Sequence, residues 1–315
     1  MIHLTFLKEC EVNLKKDILT LLELSREDFE DLFKRALELK KRHREGIADT
    51  PLAGKTLGLI FDKPSTRTRI SFEAAMIQLG GTPVFISTKD TQLSRNEPVR
   101  DTARVLSGYL DAIAVRTYSQ DIIKEYAEFA DIPVINALTD LYHPCQVLSD
   151  LLTVIEQKKN LEKLKFAWVG DSNNVANSWI NAAAVLGINL VLACPEGYPF
   201  DENILDIIKE KNCKNIILTH DPEEAVKDAD VIYTDVWTSM GKEEQKDKAE
   251  AFNGFQVDKV LVEKASKDVM VMHCLPAHRG EEISEEVLEG PNSVVWKQSE
   301  NKMHMAKAIL EKLIG

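Results

Sequence analysis

From Thr56 onward the chain alternates short apolar runs with helical stretches. The runs fall at 56–61, 84–86, 112–116 and 133–137, then at 165–169, 190–193, 216–218, 231–234, 269–273 and 293–296. Strands separated by helices imply parallel sheets of the α/β class. At 315 residues the chain has room for two domains of about 150 residues each. The expectation is an α/β fold of two domains, each a parallel-sheet α/β sandwich. A helix at about 145–158 marks the division, opened by Pro144, whose missing N–H has no partner to lose in a first turn. Domain one is then 1–148 and domain two 149–300, with a terminal helix, 301–315, packing back on the first. Ahead of the first strand, 18–46 reads as a helix. Ser25 is its N-cap, Asp28 the acidic arm of a capping box, Leu24 and Phe29 the staple pair, and Gly46 the stop.

Composition narrows the function. A 44% apolar and 29% charged chain is ordinary for a globular protein. The net charge of −12 argues against nucleic acid, whose phosphates need a basic face. An anionic small molecule would need a local arginine cluster to overcome that global field. No apolar run reaches the roughly 18 to 20 residues of a membrane span. The first residues lack the basic start and apolar centre of a signal peptide, so a cytoplasmic protein is expected. The five cysteines, Cys10, Cys145, Cys194, Cys213 and Cys274, are odd in number and widely spaced, which disfavours a disulfide framework.

Ser65-Thr66-Arg67-Thr68-Arg69 lies after one strand and opens a helix. A helix start offers unpaired backbone N–H groups and the positive end of the helix dipole, which suit a phosphate. The hydroxyls add donors, and Arg67 adds a planar fork able to take two phosphate oxygens. The bland alternative is a capped helix with exposed arginines. Arg116 at the end of another strand and His143-Pro144-Cys145-Gln146 at another helix start weigh against it. Ligands of parallel sheets sit beyond the carboxyl ends of strands, where all three segments can converge.

In the second half, Gly170-Asp171-Ser172-Asn173-Asn174 occupies the place where a dinucleotide-binding fold carries G-x-G-x-x-G. The later glycines are missing, so a nicotinamide cofactor and a dehydrogenase are disfavoured, and no cofactor is expected. Asp235 and Cys274 also follow strands. His143 with Cys145 and His273 with Cys274 lack zinc-ligand spacing, so no metal is expected. A cysteine-protease role for Cys274 is equally weak.

Lys63-Pro64-Ser65-Thr66-Arg67-Thr68-Arg69, His143-Pro144-Cys145-Gln146 and His273-Cys274-Leu275-Pro276-Ala277 resemble the signature blocks of the ornithine carbamoyltransferases, within the aspartate/ornithine carbamoyltransferase family. The first two blocks are shared with the aspartate enzymes. The third, with Asp235-Val236-Trp237-Thr238-Ser239-Met240-Gly241, points to ornithine. The resemblance implies carbamoyl transfer from carbamoyl phosphate to the terminal amine of ornithine. Ser65, Thr66, Arg67 and Thr68 would grip the phosphate. Arg116, His143 and Gln146 would surround the carbamoyl end, and Gln92, Pro144, Cys145, Cys274, Leu275 and Lys302 would also contact carbamoyl phosphate. Gln92 would reach a neighbouring subunit's site, implying a homotrimer or a multiple of trimers with shared active sites. Asn174, Asp235, Ser239 and Met240 would bind ornithine, and Arg116, His143, Cys274 and Asp235 would act in catalysis.

Two departures stand out. Lys302 takes the place of the family's usual arginine, keeping the charge without the fork. Asn96 stands where glycine is common. The rival readings are a sister transferase for putrescine or acylated ornithine, and a non-catalytic relative, which should have lost Arg67, His143 or Cys274.

Overall fold

The computed structural model describes residues 17–48, 50–87, 97–159, 161–237 and 248–315. Helix α1 is Arg26–Arg44, shorter than the 18–46 expected. The capping box forms: the Ser25 hydroxyl accepts the Asp28 N–H at 3.2 Å, and the Asp28 carboxylate accepts the Ser25 N–H at 3.0 Å. Residues ahead of the cap are turned by Glu23, which accepts the Leu19 and Thr20 N–H groups. Ile18 is drawn into a bridge with Ile135 instead of a helix. Gly46, at φ +71°, sits just beyond the helix as expected of a stop.

The first series is β1 (Thr56–Phe61), α2 (Arg67–Gln78), β2 (Thr82–Ser87), α3 (Val99–Ser107), β3 (Ala112–Arg116), α4 (Gln120–Phe129) and β4 (Val134–Leu138). Helix α5 (Pro144–Lys158) leads into β5 (Lys165–Val169), α6 (Asn174–Leu186), β6 (Asn189–Ala193), α7 (Glu202–Glu210), β7 (Ile216–Thr219), α8 (Pro222–Val226) and β8 (Val231–Thr234). Then come α9 (Lys248–Ala251), α10 (Lys259–Val262), β9 (Met270–His273), α11 (Glu285–Leu288) and α12 (Val295–Ile314). The strands form two sheets, β2-β1-β3-β4 and β7-β6-β5-β8-β9. Every pairing is parallel, as the α/β reading requires.

One expected strand is absent. Only Ser293 of 293–296 pairs, in a single bridge to Val271, and Val295 already begins α12. That helix is correspondingly longer than the 301–315 expected. Buried Val295, Gln298, Lys302 and Met305 recur along it at helical spacing.

Both faces of each sheet are covered. In β3, Ala112 and Ala114 face a central apolar cluster, while Ile113 and Val115 face an outer one. In β5, Phe166 and Trp168 face the same central cluster, while Ala167 and Val169 face the other side. This alternation follows from the two-residue period of a strand. The central cluster runs unbroken through α1, α2, α5, α6 and α12, so it joins the inner layers of both sheets.

Candidate active site

Topology creates the site. In the first sheet the chain steps outward from β1 to β2, then returns to the other side of β1 as β3. Connections leaving β1 and β3 therefore diverge and open a crevice at their carboxyl ends. In the second sheet the same reversal lies between β5 and β8. Segment 65–69 follows β1, Arg116 ends β3, Asn173 and Asn174 follow β5, and Asp235 follows β8. Both halves of the site thus occupy switch points.

At the first, Thr66 holds the N-cap position of α2, yet its backbone is helical (φ −88°, ψ −58°) and its side chain caps nothing. His143 opens α5, also without a side-chain cap. Ser25, Ser119, Asn173, Asp201 and Asp221 do cap their helices. The α2 start therefore presents its first N–H groups at the positive end of the helix dipole, with no capping bond from Thr66 to answer them.

Cations gather around this start. Arg116 is 5% exposed, and its Nε has no partner among the described residues. Burial, then repulsion from Arg67, lowers its pKa to about 10. Burial also lowers Lys302, to about 8. His143 is driven well below the usual histidine range by burial and then by Lys302, Arg116 and Arg67, which keeps it neutral at pH 7. Its Nδ1 has no partner among the described residues. Thr68, His143, Cys145 and Lys302 line one cavity of about 10 Å³. Arg69 turns away: it pairs with Glu73 at 2.8 Å and stacks on the Phe85 ring at 3.5 Å. Cys145 is engaged too, donating to the Asn136 carbonyl, and burial pushes its thiol up to about 12.

At the second switch point Gly170 directly follows β5 with φ +146°, which favours glycine, and turns the chain towards Asn173. The Asn173 carbonyl oxygen caps α6, leaving its N–H₂ to donate to Asp235 Oδ2 at 2.7 Å. Oδ1 of Asp235 accepts the Val236 N–H and the Cys274 thiol, each at 2.8 Å. Burial raises the Asp235 carboxyl, and burial and then Asp235 hold the Cys274 thiol well above its normal range. Cys274 is thus a protonated donor. Asn174 donates to the Thr139 carbonyl at 2.6 Å, fastening this loop to the first half of the chain.

Leu275 joins the halves. Its φ of +58° is unusual for a branched residue and turns its carbonyl to accept from Arg67 at 2.6 Å. Its N–H donates to His273 Nδ1 at 2.8 Å, so the ring proton sits on Nε2, directed at Glu282 at 2.9 Å. Asp235, His273 and Cys274 bring possible metal-ligand atoms within 4.8 Å of one another. Both ring nitrogens of His273 are already engaged in the bonds just described.

The sequence reading missed a buried chain behind the site. Asp150, fully buried, accepts from Gln146 Nε2, Gln298 Nε2 and the Tyr233 hydroxyl, each at 2.8 Å. Lys302 donates to Gln146 Oε1, and Gln298 Oε1 accepts the His273 N–H at 3.0 Å. Burial raises Asp150 to about 6, with Gln146, Gln298 and Tyr233 opposing the rise. Its one sequence signal was its position four residues after Gln146 on α5.

Residues 16–156 match the family model of the aspartate/ornithine carbamoyltransferase carbamoyl-P binding domain, and 162–313 match that of the Asp/Orn binding domain. This chain belongs to the aspartate/ornithine carbamoyltransferase family. It is 57% identical to the ornithine carbamoyltransferase of Syntrophus aciditrophicus over 302 residues, covering 96% of this chain and 100% of that one. The solved ornithine carbamoyltransferase of Pyrococcus furiosus superposes with a TM-score of 0.92 at 46% identity, covering 96% of this chain and 97% of that one. The anabolic ornithine carbamoyltransferase of Campylobacter jejuni gives 0.88 at 42% identity, covering 95% and 98%.

Of the residues the carbamoyltransferase resemblance singled out, Arg67, Thr68, Arg116, His143, Gln146 and Lys302 lie around the α2 and α5 starts, with Asp235, Cys274 and Leu275 facing them. Gln92, Asn96, Ser239 and Met240 lie outside the described residues.

Proposed function

We propose that this chain transfers the carbamoyl group of carbamoyl phosphate to the terminal amine of L-ornithine, giving L-citrulline and phosphate. The observation that carries this reading is the meeting of two switch-point half-sites at the Arg67–Leu275 contact, one cationic and one built on a buried carboxylate. In this reading Ser65, Thr66, Arg67 and Thr68 take the phosphate with Lys302. Arg116, neutral His143 and Gln146 hold the carbamoyl group. Pro144, Cys145, Cys274 and Leu275 complete its surroundings, and Gln92 comes from a neighbouring copy. Asp235, Asn174, Ser239 and Met240 receive ornithine. The division is a carbamoyl-phosphate domain at 1–148, completed by the terminal helix, and an ornithine domain at 149–300.

Attack requires the neutral amine. With a pKa of about 10.4, neutrality at pH 7 costs about 4.6 kcal/mol, which burial beside a proton acceptor reduces. Asp235 is the acceptor within the protein, because the Cys274 thiol already carries its proton and donates it towards that carboxylate. Charge building on the carbamoyl oxygen falls to Arg116, Thr68 and His143, and Arg67 offsets charge on the departing phosphate. Orientation of both substrates in one crevice supplies a further large term.

A homotrimer, or a multiple of it, is the expected assembly. Exposed Ile70 and Ile77 on α2 and exposed Val84 and Phe85 on edge strand β2 support a second copy covering this face. No described helix is long and apolar enough to cross a membrane, and the reading places the protein in the cytoplasm. The test is citrulline formation from carbamoyl phosphate with a panel of amines. Ornithine should be used, and putrescine and acylated ornithine rejected. No product with ornithine would reject the reading.

A further inference from the structure

Gln146 has an amide whose two ends face opposite kinds of partner. Its Nε2 meets the Asp150 carboxylate at 2.8 Å, and its Oε1 meets the Lys302 ammonium. A carboxylate only accepts and an ammonium only donates, so the amide has a single satisfied orientation. The carbonyl oxygen points to the side of Lys302, which lines the cavity with Thr68 and His143.

We infer that Asp150 is a positioning residue for substrate choice: it locks Gln146 so that the site presents a carbonyl oxygen, an acceptor that reads the carbamoyl N–H₂ group. The inference rests on the carbamoyl-transfer reading and extends it. Lys302 also fixes the amide in this structure. Once its ammonium is drawn to a phosphate, Asp150 alone holds Gln146.

Asp150 is itself held from three elements. Gln146 is on its own helix, Tyr233 comes from β8 and Gln298 from α12. The Gln298 amide is fixed as well, because its Oε1 accepts the His273 N–H while its Nε2 donates to Asp150. The residue before Cys274 is thereby tied to the residue that aims Gln146. An amide free to flip would present N–H₂ to N–H₂ half of the time. An unmatched buried donor costs more than the bond itself contributes, so orientation decides recognition.

Acetyl phosphate is the probe, since it differs from carbamoyl phosphate by a methyl group in place of N–H₂. Dissociation constants for carbamoyl phosphate, acetyl phosphate and inorganic phosphate are measured by calorimetry on the full protein. The unsubstituted protein should prefer carbamoyl over acetyl phosphate by about tenfold. Asp150→Leu should bring that preference to about one while inorganic phosphate binds within about twofold of normal. Asp150→Asn, which keeps an oxygen for the Gln146 N–H, should retain the preference. Should the leucine variant not fold, Gln146→Met removes the reading oxygen and must abolish the preference. A preference that survives Asp150→Leu, or survives Gln146→Met, overturns the role of Asp150 while leaving the carbamoyl-transfer reading intact. Absence of any preference in the unsubstituted protein overturns both.

Discussion

The Cys274 thiol donates to the Asp235 carboxylate across 2.8 Å, from Sγ to Oδ1, in a site where burial raises the pKa of both groups. The pair is a protonated donor beside a carboxylate, so Cys274 tunes Asp235 instead of acting as a nucleophile. Cys274→Ser keeps a donor but changes its size and polarity. Steady-state kinetics should show ornithine kcat/KM falling by about tenfold, with carbamoyl phosphate affinity changed by less than about twofold. Equal losses for the two substrates would place Cys274 elsewhere in the mechanism.

Arg116 stands among Arg67, His143 and Lys302. Arg116→Ala relieves repulsion among these cations, so the fold should persist in circular dichroism. Turnover at saturating substrates should fall by about 10² to 10³, the usual cost of one lost donor to a developing oxyanion. Near-normal turnover would reject that role.

Lys302 gives the site a pH dependence that arginine would not. Burial brings it from 10.5 to about 8. The lysine is a cation below that pH and neutral above it. Its contribution to anion affinity is therefore present below about pH 8 and lost as pH rises through it. A bound phosphate favours the cation, so binding near pH 8 should take up protons. Titrations from about pH 7 to about pH 9.5 should show weakening in the native protein and a flatter profile for Lys302→Arg.

Far from the site, the Ser25–Asp28 capping box predicts a stability effect without a catalytic one. Ser25→Ala should cost about 1 kcal/mol and lower Tm by about 2 °C. Unchanged kcat with a lower Tm in differential scanning calorimetry is the expected outcome. An unchanged Tm would show that the cap does not limit unfolding.

Much of the fold was legible because local pattern and fold agree. The capping box at Ser25 and Asp28 formed, and nine of the ten apolar runs lie on strands of the two parallel sheets. The run at 293–296 misled because Val294-Val295-Trp296 has strand-like composition over too few residues to show a period. Packing settled it, with α12 held against α1, α2 and α5. The helix at 18–24 failed for a tertiary reason: Ile18 pairs beside β4, its N–H donating to the Val134 carbonyl and its own carbonyl accepting from Asn136, which is extended pairing.

Segment 65–69 and the later blocks announced an anion site and a family from the sequence by itself, because a helix start and a block of chemistry are local. The strand orders, which put those segments at two switch points, were decided by the tertiary structure. So were the bonds that aim the side chains: Tyr233 to Asp150 spans 83 residues, Gln298 to Asp150 spans 148 and Lys302 to Gln146 spans 156. A hydrogen bond between residues so far apart leaves no periodicity in the chain. It exists only once burial has removed water and left each polar group those partners alone.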